Sequence, residues 1–244
     1  MSGHSETRRP HVDAPPAREP GSLAGAERLD GKNGPTQSLA DKAYESIKQQ
    51  IITLKFKPGA YLNEASISKL LGISRNPVHL AVRRLVLEGM LEVMPRKGII
   101  VKPASLKEVL DIIEVRLVNE SYCVRLAAER ATDREIAEMS DILERGVESA
   151  KLRDIEQQML LDRDFHCAIS SAARNTVLAD ILKNLHERSL RFWFISLVDQ
   201  RHGKRVGEEH TAILDALRRH DADAAEDAMR RHIEAFRVNV TRYI

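Results

Sequence analysis

Across residues 63–101 the apolar positions first follow a helical period and then fall into two short β-prone runs. That change predicts a helix, a tight turn, a second helix and a hairpin. Asn63 is placed to cap the first helix and Gly72 to end it. Ser74 is placed to cap the second, whose apolar side is Val78, Val82, Leu85 and Val86. Arg75, His79 and Arg83 stand at i, i+4 and i+8, so they form one row on another face of that helix. A row of donors on a helix that follows a glycine turn suits the major groove of DNA. The runs 91–94 and 99–101 flank Arg96, Lys97 and Gly98, a basic tip that can reach phosphates or the minor groove. The pattern is that of a winged helix-turn-helix. Upstream, Ser38 opens a helix running to about Leu54, with Ala43, Ile47, Ile51 and Leu54 in step. Pro58-Gly59 turns the chain out of it, and Pro103 closes the wing.

From Ser105 onward the helical period is unbroken, in segments 105–131, 133–151, 153–173, 175–200, 207–219 and 222–242. Asp133, Asn175 and Asp221 stand at plausible starts, and Gly203 and Gly207 are expected to bracket a loop. Short connections between such segments predict an antiparallel bundle. The expected fold is therefore mainly α: an N-terminal winged helix-turn-helix over 37–103, and a C-terminal all-α antiparallel bundle of about six helices over 104–244. Residues 1–36, with five prolines and no apolar period, are expected to be a disordered tail.

The bundle breaks its own pattern at four places. One core stripe reads Ile155, Met159, Asp162, His166, Ile169 and Ala173, an uninterrupted alternation of +4 and +3 steps. The stripe of segment 207–219 begins with His210, and that of 222–242 includes His232. An inward, unpartnered carboxylate or imidazolium costs several kcal/mol, so each of these groups needs a partner. Asp162 and His166, one helical turn apart, can hold a single ion, and His210 and His232 can approach it from neighbouring helices. Three imidazoles and one carboxylate suit a divalent ion such as Zn²⁺ or Ni²⁺. Each group also has an ordinary reading, as a hydrogen-bonded core histidine or an internal Asp162–His166 pair.

Charge sharpens the division of labour. Residues 37–103 hold eleven Lys/Arg against five Asp/Glu, whereas 104–244 hold twenty-two against twenty-six. Positive charge confined to the winged-helix segment is the footprint of phosphate binding. At 244 residues and 43% hydrophobic content there is material for two cores. No apolar run reaches the roughly 18 residues a membrane span needs, and no secretory leader is evident, so a cytoplasmic location is expected. Cys123 and Cys167 lack metal or redox spacing and read as small core residues.

Residues 58–98 resemble the DNA-binding domain of the GntR family of bacterial transcription regulators. The resemblance rests on Pro58-Gly59, Gly72-Ile73-Ser74-Arg75, Pro77-Val78, Arg83-Arg84-Leu85, Glu88-Gly89 and Arg96-Lys97-Gly98. It implies DNA contacts from Arg75, Asn76, His79, Arg83, Arg96 and Lys97 to a pseudo-palindromic double-stranded operator. His79-Leu80 stands where the family usually has Arg-Glu, Asn76 where Thr is frequent and Ala65 where a polar residue is common, so the family's operator sequence does not carry over. Residues 105–238 resemble the FCD effector domain of the FadR-type branch, through Glu114-Val115-Arg116 with Glu120, Asp162 with Phe165-His166, Asn175, Glu209-His210, and Asp221 with His232. That resemblance implies that Asp162, His166, His210 and His232 hold the ion and that a small organic acid binds beside it. It further implies that Arg116 and Asn175 serve this effector, although a salt bridge to Glu120 and a helix cap are their alternatives.

The remaining candidates are weaker. Arg188 and Arg191 stand either in the cavity or on a solvated face. Phe192-Trp193-Phe194 suggests core plus a subunit interface, hence a homodimer. His186, His202 and His220 lack partners at ligand spacing and are expected to be exposed. The reading is a dimeric, metal-dependent, acid-responsive transcription regulator, a repressor rather than an enzyme. The alternatives are a metal-dependent hydrolase carrying an accessory DNA-binding module, and a DNA binder with a purely structural metal.

Overall fold

The computed structural model describes residues 37–96, 98–103, 105–196 and 200–243, with side chains at all of these except 191, 193–196, 200–203 and 242–243. The expected tail and the wing residue Lys97 lie outside the described residues.

The Ser38 hydroxyl accepts from the Asp41 amide at 3.1 Å and starts α1 (Leu39–Ile52). This helix stops two residues before Leu54, which takes a left-handed φ of 59°. A two-residue strand, β1 (Tyr61–Leu62), follows; nothing so short has a legible period. Asn63 caps α2 (Glu64–Leu71) through its side-chain oxygen, 2.8 Å from the Ser66 amide. Gly72 closes that helix at φ 64°, in the region glycine favours. Helix α3 (Arg75–Leu87) begins after Ser74, which keeps cap geometry but makes no side-chain cap bond. Strands β2 (Leu91–Met94) and β3 (Gly98–Val101) pair antiparallel, and β1 joins the other side of β3, giving the order β1-β3-β2. Tyr44, Ile47 and Ile51 of α1, Ile67 of α2, Val78, Val82 and Leu85 of α3 and Leu91 and Val101 of the sheet form one core.

The bundle contains six helices among the described residues: α4 (Leu106–Arg130), α5 (Asp133–Leu152), α6 (Ile155–Ala172), α7 (Thr176–Ser196), α8 (Gln200–Arg218) and α9 (Ala222–Tyr243). Helix α4 runs along α9, α5 packs on α6 and α8, and α6 on α7, around a second core that includes Val124, Met139, Phe165, Ile169, Leu217 and Ile233. A capping box of Thr132 and Glu135 starts α5, and Asp154 caps α6.

The loop expected between Gly203 and Gly207 is instead part of α8. Each glycine costs about 1 kcal/mol in a helix. Burial of Val206 on the inward stripe ahead of His210 offsets this, helped by Lys204–Glu208 and Arg205–Glu209 pairs at i, i+4. Cys123 is a core residue whose thiol burial pushes up to about 12, and Cys167 is half-buried.

Residues 37–244 form one compact unit. The winged-helix core and the bundle meet where α1 faces α7, and there Lys48 and Glu187 are joined at 2.7 Å with side chains only 2% and 4% exposed.

Candidate functional site

Helix α6 projects Asp162 and His166 inward from successive turns, α8 projects His210, and α9 projects His232. All four are buried, and one ligand atom from each lies within 4.8 Å of all the others. His210 Nε2 stands 3.4 Å from Asp162 Oδ1. Two carboxylates fix the imidazoles from behind: Glu120 Oε2 is 2.7 Å from His166 Nδ1, and Glu209 Oε2 is 2.9 Å from His232 Nδ1. A carboxylate on Nδ1 holds the proton there and leaves the Nε2 lone pair free, which is how metal-binding histidines are oriented. His166 Nε2, His210 Nε2 and Asp162 Oδ1 are buried and have no hydrogen-bond partner among the described residues.

Electrostatics makes the same donors available. Burial lowers His232 to about 3 and drives His210 well below the ordinary histidine value, so both rings are neutral near pH 7. Burial alone would raise the Asp162 carboxyl, but a His186 hydrogen bond and the surrounding imidazoles hold it far below the carboxylate range. For Glu120 the opposing effect of burial is outweighed by Arg116 and His166. The donor set is thus one carboxylate and three imidazoles, with burial keeping His210 and His232 neutral, and its ligand atoms converge. It fits a divalent transition-metal ion.

His186 corrects the expectation of an exposed residue. It is buried, with Nε2 3.2 Å from Asp162 Oδ2 and its ring 4.7 Å from that of His166; burial lowers it to about 4. The signal was present in the sequence, because Leu178, Leu182, His186 and Leu190 recur at +4 along α7 and put His186 on the inward face. Glu120, His166 and His186 form a second converging group that shares His166 with the first. His220 is exposed as expected, with Nδ1 2.7 Å from the Ala128 carbonyl, whereas the His202 side chain lies outside the described residues.

Beside the cluster lies a cavity of about 10 Å³, the room of a single water. Arg116, Ser189, His186 and Glu209 give it polar walls; Leu190, Val206 and Phe236 give it apolar ones. Arg116 makes the salt bridge that is its alternative reading, donating from Nε to Glu120 at 2.5 Å and from Nη1 to Ser189 at 3.2 Å, and it also lines this cavity. Asn175 does not line it. Its side-chain oxygen accepts from the Leu178 amide at 3.1 Å, which makes it the cap of α7, its alternative reading. Arg188 turns instead to Glu108, 2.7 Å away; the side chains of Arg191, Trp193 and Phe194 lie outside the described residues, and Phe192 is core.

In the winged-helix part Arg75, Asn76, His79 and Arg83 are all exposed along α3. His79 Nδ1 is engaged by Glu64 Oε1 of α2 at 2.8 Å, while Arg75 and Arg83 have no ion-pair partner among the described residues. The neighbouring Arg84 is committed inward: its guanidinium lies 3.6 Å from the centre of the Tyr44 ring and pairs with Glu88. Arg96 is exposed at the wing turn with φ 64°.

An exposed donor row on the second helix of a winged helix-turn-helix, joined to a helical bundle, is the architecture of a DNA-binding regulator with a second, helical domain. Comparison with known proteins agrees. Residues 39–101 match the family model of the bacterial regulatory proteins of the gntR family, and residues 111–235 match the FCD domain model. The Nta operon transcriptional regulator of Aminobacter aminovorans is 31% identical over 176 residues, covering 72% of this chain and 80% of that protein. The HTH-type transcriptional repressor RspR of Escherichia coli K12 is 25% identical over 200 residues, 82% of this chain and 88% of its own length. Among solved structures, E. coli McbR/YncC superimposes with a TM-score of 0.77 at 24% identity over 84% of this chain and 98% of that one, a likeness of fold. The chain belongs to the GntR family of transcription regulators, with a helix-turn-helix DNA-binding part and an FCD effector domain. These relatives are named as transcription regulators, and among the described residues no helix is long and apolar enough to cross a membrane.

Proposed function

We propose that this protein is a homodimeric repressor, acting in the cytoplasm, whose operator affinity is set by a small carboxylate bound beside a divalent metal, Zn²⁺ or a similar ion such as Ni²⁺. Asp162, His166, His210 and His232 hold the ion. The observation that carries this reading is the convergence of three buried, unpartnered donor atoms on one point, with Glu120 and Glu209 presetting two of the rings. A bound ion supplies a Lewis-acidic position for an effector oxygen. Arg116, already braced by Glu120 and Ser189, supplies the fixed cation for the effector carboxylate.

Output lies on α3 and the wing. Arg75, Asn76, His79 and Arg83 meet base edges or phosphates in the major groove, and Arg96 and Lys97 meet the backbone beside it. Two copies read a pseudo-palindromic operator. The outer face of α4 supports pairing of bundles: Val115, Val118 and Tyr122 recur at helical spacing and are 45%, 67% and 56% exposed. The working division of labour runs from 37–103 for DNA to 104–244 for effector and pairing.

The test is an anisotropy titration on an operator duplex selected by the protein from a random pool. Small mono-, di- and tricarboxylates are added to metal-loaded and to chelated protein. Release of DNA by at least one acid, only in the loaded protein, is expected. Turnover of the acid would support a hydrolase instead, and indifference to every acid would leave the metal a structural role.

A further inference from the structure

Three consecutive residues of α7 touch three different parts of the molecule. His186 faces the ligand set, 3.2 Å from Asp162, and its Nδ1 is buried with no hydrogen-bond partner among the described residues. Glu187 reaches α1 of the DNA-binding part through its buried pair with Lys48. Arg188 binds Glu108 near the start of α4, and its guanidinium lies against Gly89: a side chain built there would meet it at 3.9 Å. Successive helical residues point about 100° apart, so one turn spans both the inner and the outer face of α7.

The contacts beyond this turn converge on one place. Lys48 also donates to the Tyr44 hydroxyl, and that hydroxyl donates to the Glu88 carboxylate at 2.8 Å. Glu88 is the C-cap of α3, the helix that carries the donor row, and Gly89 is the next residue. Both routes from α7 therefore end at the C-terminus of the recognition helix. Meanwhile the cavity beside His186 has room for one water only, so admitting any organic acid displaces its walls. A buried ion pair cannot follow such a shift by relaxing into solvent. Either Lys48 moves with Glu187, or two charges are left unpaired in the interior.

We propose that His186 is a further group of the effector chamber and that the turn 186–188 carries its position to the end of α3, chiefly through the Lys48–Glu187 pair. This rests on the metal-site reading above. Asp162 and His186 report ion or ligand binding on the inner face of α7, and Glu187 and Arg188 reset the end of the recognition helix from the outer face.

Zn²⁺ alone is a sufficient probe, because Asp162 contacts His186 directly. Hydrogen–deuterium exchange on the full chain is compared before and after Zn²⁺ loading, with bound zinc measured on the same samples. In the wild type, exchange slows about threefold or more in residues 44–52 and 84–90 as well as in α6, α8 and α9. In Lys48→Met/Glu187→Leu, which removes both charges together, zinc still binds and still protects α6, α8 and α9, but the response of 44–52 and 84–90 is lost. His186→Leu loses the same remote response. Glu187→Gln, nearly isosteric, serves if circular dichroism shows that the double variant does not fold. An equal remote response with the pair removed overturns the proposal, as does a wild type that binds zinc without any remote response. A wild type that binds no zinc overturns the metal-site reading and this proposal together.

Discussion

The donors of α3 and those of the bundle are made of similar side chains and held in opposite ways. Arg75, Asn76, His79 and Arg83 stand in water, with His79 held by Glu64 at 2.8 Å. Asp162, His166, His210 and His232 are buried, and Glu120 and Glu209 fix the rings of His166 and His232 before any ligand arrives. An exposed row binds through charge and is tuned by salt; a buried set binds through fixed geometry and is tuned by protons and by the groups behind it. The difference fits the proposed division between a sensing part and an acting part. A site that must recognise one ion or acid among many is worth preorganising, whereas a surface that must find and leave DNA works with solvated charges.

The largest break in this contrast comes from removing two inward ligands. A wild-type protein with ion at 100 times its dissociation constant gains about 2.7 kcal/mol of stability. In His210→Ala/His232→Ala that gain disappears, read as loss of the melting-temperature increase on adding Zn²⁺, while affinity for a selected operator in the metal-free state stays near wild type. Next comes the surface. Arg75→Ala costs about 1–3 kcal/mol of specific DNA binding, roughly 5- to 150-fold, with metal affinity unchanged. Glu209→Gln tests the preset geometry. It leaves all four inward ligands in place and weakens ion binding about 10- to 100-fold by calorimetry.

Acid acts on the buried rings of the bundle. The ordinary histidine value near 6.5 applies to the unfolded chain, while burial holds folded, metal-free His186 at about 4 and His232 at about 3. Between these limits the unfolded chain binds protons that the folded one refuses. The stability due to these neutral rings is complete above about pH 6.5 and falls as pH drops towards 4, by up to about 1.4 kcal/mol per pH unit for each ring. Chemical denaturation of chelated protein from pH 7.5 to 4.5 should show this slope, and His186→Leu should flatten it. The smallest effect belongs to the exposed His79–Glu64 pair. Glu64→Gln changes stability by no more than about 1 kcal/mol, and repeating the random-pool selection with this variant reads any change in base preference.

Periodicity made much of this legible. Asp162 and His166 interrupt an aliphatic stripe, and His210 and His232 do the same on other helices, so all four drew notice as inward groups. The helix-turn-helix was equally plain, because Asn63, Gly72 and the α3 apolar face each act within a few residues of one another. What stayed hidden depends on distance in the sequence. Lys48 sits among Tyr44, Ile47 and Ile51 and looks solvated until Glu187, 139 residues later, is placed against it. Glu120 serves both Arg116 and His166, of which only the first is close along the chain. His186 has no partner at ligand spacing in the sequence, and only its +4 stripe with Leu178, Leu182 and Leu190 places it inward. The glycines at 203 and 207 misled because local propensity was weighed without the burial of Val206.

The central claim is that Asp162, His166, His210 and His232 bind one divalent ion. X-ray absorption at the metal K-edge, on wild-type protein stripped with chelator and reloaded with Zn²⁺, tests it directly. The account predicts one ion per chain in a shell of nitrogen and oxygen only, with Zn–N at about 2.0–2.1 Å and the multiple-scattering signature of three imidazoles. A shell containing sulfur, fewer imidazoles, or no stoichiometric ion would contradict it.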